Sequence, residues 1–60
     1  MTKNDIKKFV KNEMKKNYGF EPTLKSITLL EADSNSSIDY VLFSINSVEY
    51  KYLNGKLTQH

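Results

Sequence analysis

The lysines are the residues whose type and spacing in this sequence most suggest a binding site. Six lysines lie within the first eighteen residues: Lys3, Lys7, Lys8, Lys11, Lys15 and Lys16. Four of them recur at every fourth position, which forms one ridge along a helix. Residues 1–18 hold six lysines and two acids, a net charge of +4, whereas residues 19–60 hold three lysines and five acids, a net charge of −2. A clustered cationic helix suits a phosphate-bearing partner, so non-specific nucleic-acid binding is one hypothesis.

The composition also argues against that hypothesis. All nine cationic residues are lysine, and arginine, which makes bidentate contacts to phosphates and guanine edges, is absent. Exposed lysines also keep a protein soluble, because water and salt screen most of the repulsion between them. A solvated helix face is therefore the alternative interpretation of the lysine ridge.

Residues suited to catalysis or metal binding are sparse. No cysteine occurs, which excludes disulfides, zinc–thiolate sites and thiol nucleophiles. The single histidine, His60, is the last residue, where we expect fraying rather than a catalytic base. The segment 33–37 begins like a calcium loop, but Ile38 and Ser44 stand where that loop needs glycine and glutamate. We expect no enzymatic activity, no cofactor, no metal site and no small-molecule substrate.

Residues 2–18 are predicted to form the helix that presents the lysines. Apolar side chains at spacings of three and four make one stripe: Ile6, Phe9, Val10, Met14 and Tyr18. Thr2 followed by Asp5 fits the spacing of a capping box at the start of the helix. Gly19 can take the left-handed conformation that ends a helix, and Pro22 prevents its continuation.

The rest of the chain has the pattern of antiparallel strands. We expect strands at about 24–32, 38–45, 48–53 and 56–59, with the polar segment 33–37 as a breaker. Asn46-Ser47 and Asn54-Gly55 are predicted to be two-residue hairpin turns. Both turns give the same register, in which the paired residues on one sheet face are Ile45–Val48, Phe43–Tyr50, Val41–Tyr52 and Tyr52–Leu57.

These elements predict an α+β fold in two layers. One N-terminal helix packs on a three- to four-stranded antiparallel β-meander, in the order α-β-β-β-β, within a single domain of residues 1–60. No apolar run approaches the roughly 18 residues of a membrane span, and the first ten residues lack the hydrophobic stretch of a signal peptide. We therefore expect a soluble cytoplasmic protein without membrane association.

One helix covers only one face of a sheet, so the opposite face is predicted to be open. The apolar side chains expected there are those of Ile38, Tyr40, Leu42 and Leu53. An apolar group left in water on a small protein typically marks an association site, although isolated exposed hydrophobic residues are normal. Self-association would also enlarge the thin core of a 60-residue chain.

The open face makes a non-enzymatic interaction module the favoured functional class. Such a module binds another protein, or a second copy of itself as a homodimer. Size and composition alone provide an analogy with regulators or inhibitors of the phage or mobile-element type.

Overall fold

The computed structural model describes residues 2–34 and 38–60. Within these ranges the chain forms one α-helix and a four-stranded sheet. The elements are α1 (Lys3–Tyr18), β1 (Ile27–Ser34), β2 (Ile38–Ile45), β3 (Val48–Leu53) and β4 (Lys56–Gln59). The sheet order is β1-β2-β3-β4 and each neighbouring pair is antiparallel, so the strands form a meander. The predicted α+β fold is confirmed.

The helix begins and ends as its sequence predicts. The Thr2 hydroxyl accepts a hydrogen bond from the Asp5 N–H (3.2 Å), and the Asp5 carboxylate accepts one from the Thr2 N–H (3.3 Å). This reciprocal pair satisfies two amide groups that the first turn leaves without helical partners. At the other end Gly19 adopts a φ of 70°, and its N–H donates to the Lys15 carbonyl. A residue with a Cβ would be strained in that conformation.

The core lies between α1 and one face of the sheet. Its buried residues come from the helix and all four strands: Ile6, Val10, Met14, Ile27, Val41, Phe43, Ile45, Tyr52 and Leu57. The ring of Phe9 meets the ring of Tyr52 edge to face, with centroids 4.9 Å apart. The ring of Phe43 stacks on the ring of Tyr50, with centroids 5.6 Å apart. The apolar stripe of the helix therefore packs on the sheet face that carries the residue pairs predicted from the two hairpin turns.

The two hairpin turns set the register of β2, β3 and β4. Asn46 and Ser47 have φ values of 52° and 68°, and Asn54 and Gly55 have values of 47° and 85°. Two consecutive positive φ values are the requirement of the type I′ turn, whose twist matches that of the flanking strands. All four predicted residue pairs are present in the sheet.

The first strand begins later and ends later than predicted. Residues 24–26 form a short 3₁₀ turn instead of extended chain, because both the N–H and the hydroxyl of Ser26 donate to the Thr23 carbonyl (3.1 and 2.8 Å). The strand then continues to Ser34, so the first part of the predicted breaker is extended. The rest of that breaker, residues 35–37, lies outside the described residues.

Candidate interaction face

The candidate site is the open face, which we define as the surface of the sheet that points away from α1. Successive side chains of a strand point to opposite sides of a sheet. In β2 this alternation buries Val41, Phe43 and Ile45 on the helix side and leaves Tyr40 and Leu42 half-buried on the other. Within the described residues α1 is the one α-helix, so one face of the sheet has a helical cover and the open face does not.

The centre of the open face is apolar. Tyr40 and Leu53 are direct cross-strand partners, and Leu42 lies two residues from Tyr40 on the same side of β2. The side chain of Leu53 is 43% exposed. Three of the four residues predicted for this face are thus brought together.

Ile38 is the predicted face residue that the structure places elsewhere. Asp33 pairs with Tyr40, whereas the next residue of β1, Ser34, pairs with Ile38, so β2 carries one extra residue, Asp39, at a register shift. An extra residue reverses the side to which the following side chain points. Ile38 packs against the buried core cluster, consistent with a position on the helix side.

A second register shift interrupts the strict alternation of side chains in β1. Leu29 pairs with Phe43 and Glu31 with Leu42, which leaves Leu30 as the extra residue of β1. Ala32 consequently pairs with buried Val41 instead of sharing a face with Leu30. Glu31 and Asp33 are thereby brought onto the open face.

Charges are separated by sign across the sheet in two rows of the open face, whereas Glu49 of β3, the partner of Ser44, lies on the same face in a third row. Two rows of cross-strand partners run from β1 to β4: the first is Asp33, Tyr40, Leu53 and Lys56, and the second is Glu31, Leu42, Lys51 and Thr58. Both rows begin with an exposed acid on β1, and the lysines lie on β3 and β4. The apolar residues occupy the middle. Local sequence patterns do not reveal this order, because it depends on the pairing of β1 with β2.

An open concavity of about 210 Å³ lies on the lysine side of this face. The residues that line it are Lys51, Leu53, Lys56 and Thr58. Two ammonium groups therefore border an exposed leucine. This combination suits an apolar side chain that arrives with a neighbouring carboxylate.

The lysines of α1 do not form one uniformly exposed row. Lys3, Lys8, Lys15 and Lys16 are exposed, but Lys7 and Lys11 are half-buried. Two lysine ammonium groups near the end of the helix approach acids: Lys15 lies 3.3 Å from Glu21, and Lys16 lies 3.6 Å from Glu13. These ion pairs offset part of the helix's positive charge.

The surroundings of Lys3 differ from those of the other helix lysines. It lines a cleft of about 340 Å³ between the start of α1 and β1, together with Ile6 and residues 29–32 of β1, which include Glu31. The first member of the lysine ridge therefore shares this cleft at the edge of the sheet with apolar groups and with the acid Glu31.

The remaining titratable groups of the described residues lie apart from the open face or at its margins. Among residues 2–34 and 38–60, no three His, Cys, Asp or Glu side chains are placed to hold a metal ion. The N–H of His60 donates to the Glu49 carbonyl (2.8 Å), which continues the pairing of β4 with β3. Hydrogen bonding from the Thr2 backbone N–H, and then the interaction with the Thr2 side chain, lowers the pKa of Asp5 below its ordinary value of 3.8.

The described helix of this chain is too short and too polar to cross a membrane. Comparisons with known proteins add no assignment. We find no matching protein-family model, no significantly similar curated protein and no significantly similar solved structure.

Proposed function

We propose that this chain is a non-enzymatic interaction module that binds a protein partner through its open face. The observation that carries the proposal is the group formed by Tyr40, Leu42 and Leu53, which lies at the middle of a sheet face without a helical cover. Burying such side chains against a partner contributes about 25 cal/mol for each Å² of apolar surface removed from water.

The arrangement of this face also suits protein recognition. Protein interfaces commonly have an apolar, aromatic-containing centre and a polar or charged rim. Tyr40 supplies a large amphipathic ring at the centre, and the exposed acids of β1 and Lys56 of β4 supply the rim. Binding of this type needs no catalytic group. Regulation or inhibition by occupying a partner's surface is therefore the activity that fits.

Site-specific photo-crosslinking tests the proposal. A benzophenone-bearing amino acid is introduced in place of Leu53 on the open face or, as a matched control, in place of Asn12 on the exposed side of α1. Each variant is irradiated in the cells that produce the protein. We expect a discrete protein adduct from the Leu53 position and none from the Asn12 position.

A second substitution checks that the adduct reports the apolar centre. Leu42→Asp in the probe-bearing chain places a carboxylate in the interface, and we expect it to reduce the adduct about tenfold or more. Lys8→Glu, on α1, should leave the adduct unchanged. Equal adducts from both probe positions, or no adduct from the open face, would contradict the proposal.

A second candidate function is non-specific binding of nucleic acid by α1. The observation in its favour is the presence of four exposed lysines on a sixteen-residue helix. The pairing of Lys15 and Lys16 with acids argues against it, because those acids compete with phosphates. The salt dependence of DNA binding, described in the Discussion, separates this candidate from the first.

A further inference from the structure

We propose that the protein partner of the open face is a second copy of the same chain. The two copies would meet face to face, related by a twofold axis that lies in the interface and runs parallel to the strands. This inference rests on the proposed function and specifies the partner. The separation of charge along two rows of the open face carries it, and the same rotation sets Glu49 of the third row opposite the uncharged Ser44 of the second copy.

Two twofold arrangements bring identical sheet faces together. A rotation about an axis parallel to the strands places β1 of one copy over β4 of the other. A rotation about an in-plane axis perpendicular to the strands places β1 over β1 and, when the axis passes between the two rows, sets Asp33 opposite Glu31 of the second copy. Like charges brought together in this way repel one another. The charge order of the two rows that begin with Asp33 and Glu31 therefore favours the strand-parallel axis.

The selected arrangement makes the first row of the face self-complementary. The row runs Asp33, Tyr40, Leu53, Lys56. Reversal of this row by the twofold axis sets Asp33 opposite Lys56 of the second copy, and Tyr40 opposite Leu53 of the second copy. The same pair then occurs twice, as in every isologous interface. The acid and the lysine can span the gap, because packed sheets lie about 10 Å apart.

The second row supports the same arrangement. Its order is Glu31, Leu42, Lys51, Thr58, so reversal sets Leu42 opposite Lys51 of the second copy. Lysine stems pack on apolar side chains while the ammonium group stays in water. Glu31 lies opposite Thr58 of the second copy, beside the concavity that Lys51 and Lys56 border.

The size of the face sets the expected affinity. The whole molecule exposes 4057 Å² of solvent-accessible surface, and the open face is one side of it. Stable complexes bury about 800 Å² per partner. We therefore expect a weak, concentration-dependent dimer with a Kd of roughly 10 µM to 1 mM.

A charge swap tests the dimer and its orientation together. Sedimentation equilibrium is measured from about 10 µM to 2 mM for the wild type, Asp33→Lys, Lys56→Asp and the double variant. The wild-type mass should rise from 7.0 kDa towards twice that value. Each single variant sets two like charges opposite each other at two places and should raise the Kd about five- to tenfold. The double variant restores opposite charges and should return the Kd to within about twofold of the wild type.

Two further variants complete the design. Leu42→Asp should abolish the dimer, and Lys8→Glu on α1 should leave it unchanged. Circular dichroism checks that both variants are folded. If Leu42→Asp does not fold, the variants at the exposed charged residues still test the dimer. A monomeric wild type at the highest concentration, or a double variant without rescue, would overturn the self-association.

The failure of this inference is distinguishable from failure of the proposed function. A monomeric chain whose Leu53 probe captures a different protein would refute the second copy and retain the interaction face. A monomeric chain whose Leu53 probe gives no adduct would refute both. A dimer whose Kd is changed neither by the charge swap nor by Leu42→Asp would associate through another surface, and this result would also refute the inference.

Discussion

Phe9 of α1 meets Tyr52 of β3 edge to face, with ring centroids 4.9 Å apart and ring planes at 84°. Tyr52 is itself the cross-strand partner of both Val41 and Leu57. The contact between the two rings therefore fastens the helix to the middle of the sheet, on the side opposite the open face.

The first prediction concerns this aromatic pair. Edge-to-face pairs contribute about 0.5–1.5 kcal/mol beyond the burial of their surface. A double-mutant cycle with Phe9→Leu and Tyr52→Leu should give a coupling energy of about 1 kcal/mol, measured from urea unfolding. Lys8→Leu, at an exposed neighbouring position, serves as a control partner for Tyr52→Leu. A coupling indistinguishable from zero would mean that the two rings only fill space.

The second prediction concerns strain in the turn between β2 and β3. Ser47 has a φ of 68°, a left-handed conformation that costs a residue with a Cβ roughly 1–2 kcal/mol. Ser47→Gly should therefore stabilise the protein by about 1 kcal/mol and raise its Tm by about 4–8 °C. Thermal unfolding by circular dichroism measures the change.

Gly55 provides the matched control for that prediction. Its φ is 85°, and a Cβ added there would meet no atom within 4 Å. Gly55→Ala should destabilise the protein by about 1 kcal/mol through backbone strain alone. A gain in stability from Gly55→Ala, or a loss from Ser47→Gly, would contradict the backbone conformations of these turns.

The third prediction concerns the start of α1 at acid pH. The Thr2 backbone N–H donates to the Asp5 carboxylate, and this bond, followed by the interaction with the Thr2 side chain, lowers the pKa of Asp5 in the folded protein. A group with a lowered folded pKa adds stability above its unfolded pKa, and this stability is lost as the pH falls through the folded pKa. Wild type should therefore exceed Asp5→Asn in stability at pH 7, with the difference shrinking below pH 3.8.

Urea midpoints across the pH range and a carbon-13 titration of Asp5 measure this effect. The titration should give a pKa below 3.8. Thr2→Ala removes the hydroxyl that accepts from the Asp5 N–H, and it should cost about 1 kcal/mol at neutral pH. It should also raise the pKa of Asp5, because one of the two interactions with Thr2 is lost. A pKa of Asp5 at or above 3.8 in the wild type would refute the capping box in solution.

The sequence predicts the helix and the last three strands because their signals are local. Asn54-Gly55 is a two-residue turn whose chemistry fixes the pairing of the strands beside it. Asn46-Ser47 gives the same register independently. A capping box and a terminal glycine mark the ends of α1 within one turn of chain.

The pairing of β1 with β2, unlike that of the other strands, is not fixed by a local sequence signal. The segment that joins them carries no turn motif of fixed length, and each strand has one extra residue at a bulge. A single extra residue moves every later side chain to the other face, so alternation along the sequence misplaces Ile38. The charge order of the candidate face depends on this same pairing. The apolar centre was predictable because it lies mainly between β2 and β3.

The fourth prediction separates the two candidate functions. If α1 binds nucleic acid through about four lysines, the logarithm of the affinity should fall with the logarithm of salt concentration with a slope near −3.6 on duplex DNA. Replacement of exposed Lys3 and Lys8 by Gln should then reduce the slope to about −1.8, while Leu42→Asp should leave it unchanged. Fluorescence anisotropy of labelled duplex and single-stranded DNA across a salt series measures the slope.

The interaction-module proposal gives the opposite expectation for the same experiment. The acids beside Lys15 and Lys16 reduce the charge available to phosphates, and arginine is absent from the chain. We therefore expect no salt-sensitive DNA binding at micromolar protein concentrations near physiological salt. Micromolar binding with the steep slope, lost in the lysine variant and kept in Leu42→Asp, would assign the function to α1. The absence of such DNA binding would indicate that the lysines form a solvated helix face. The open face would then remain the candidate binding surface.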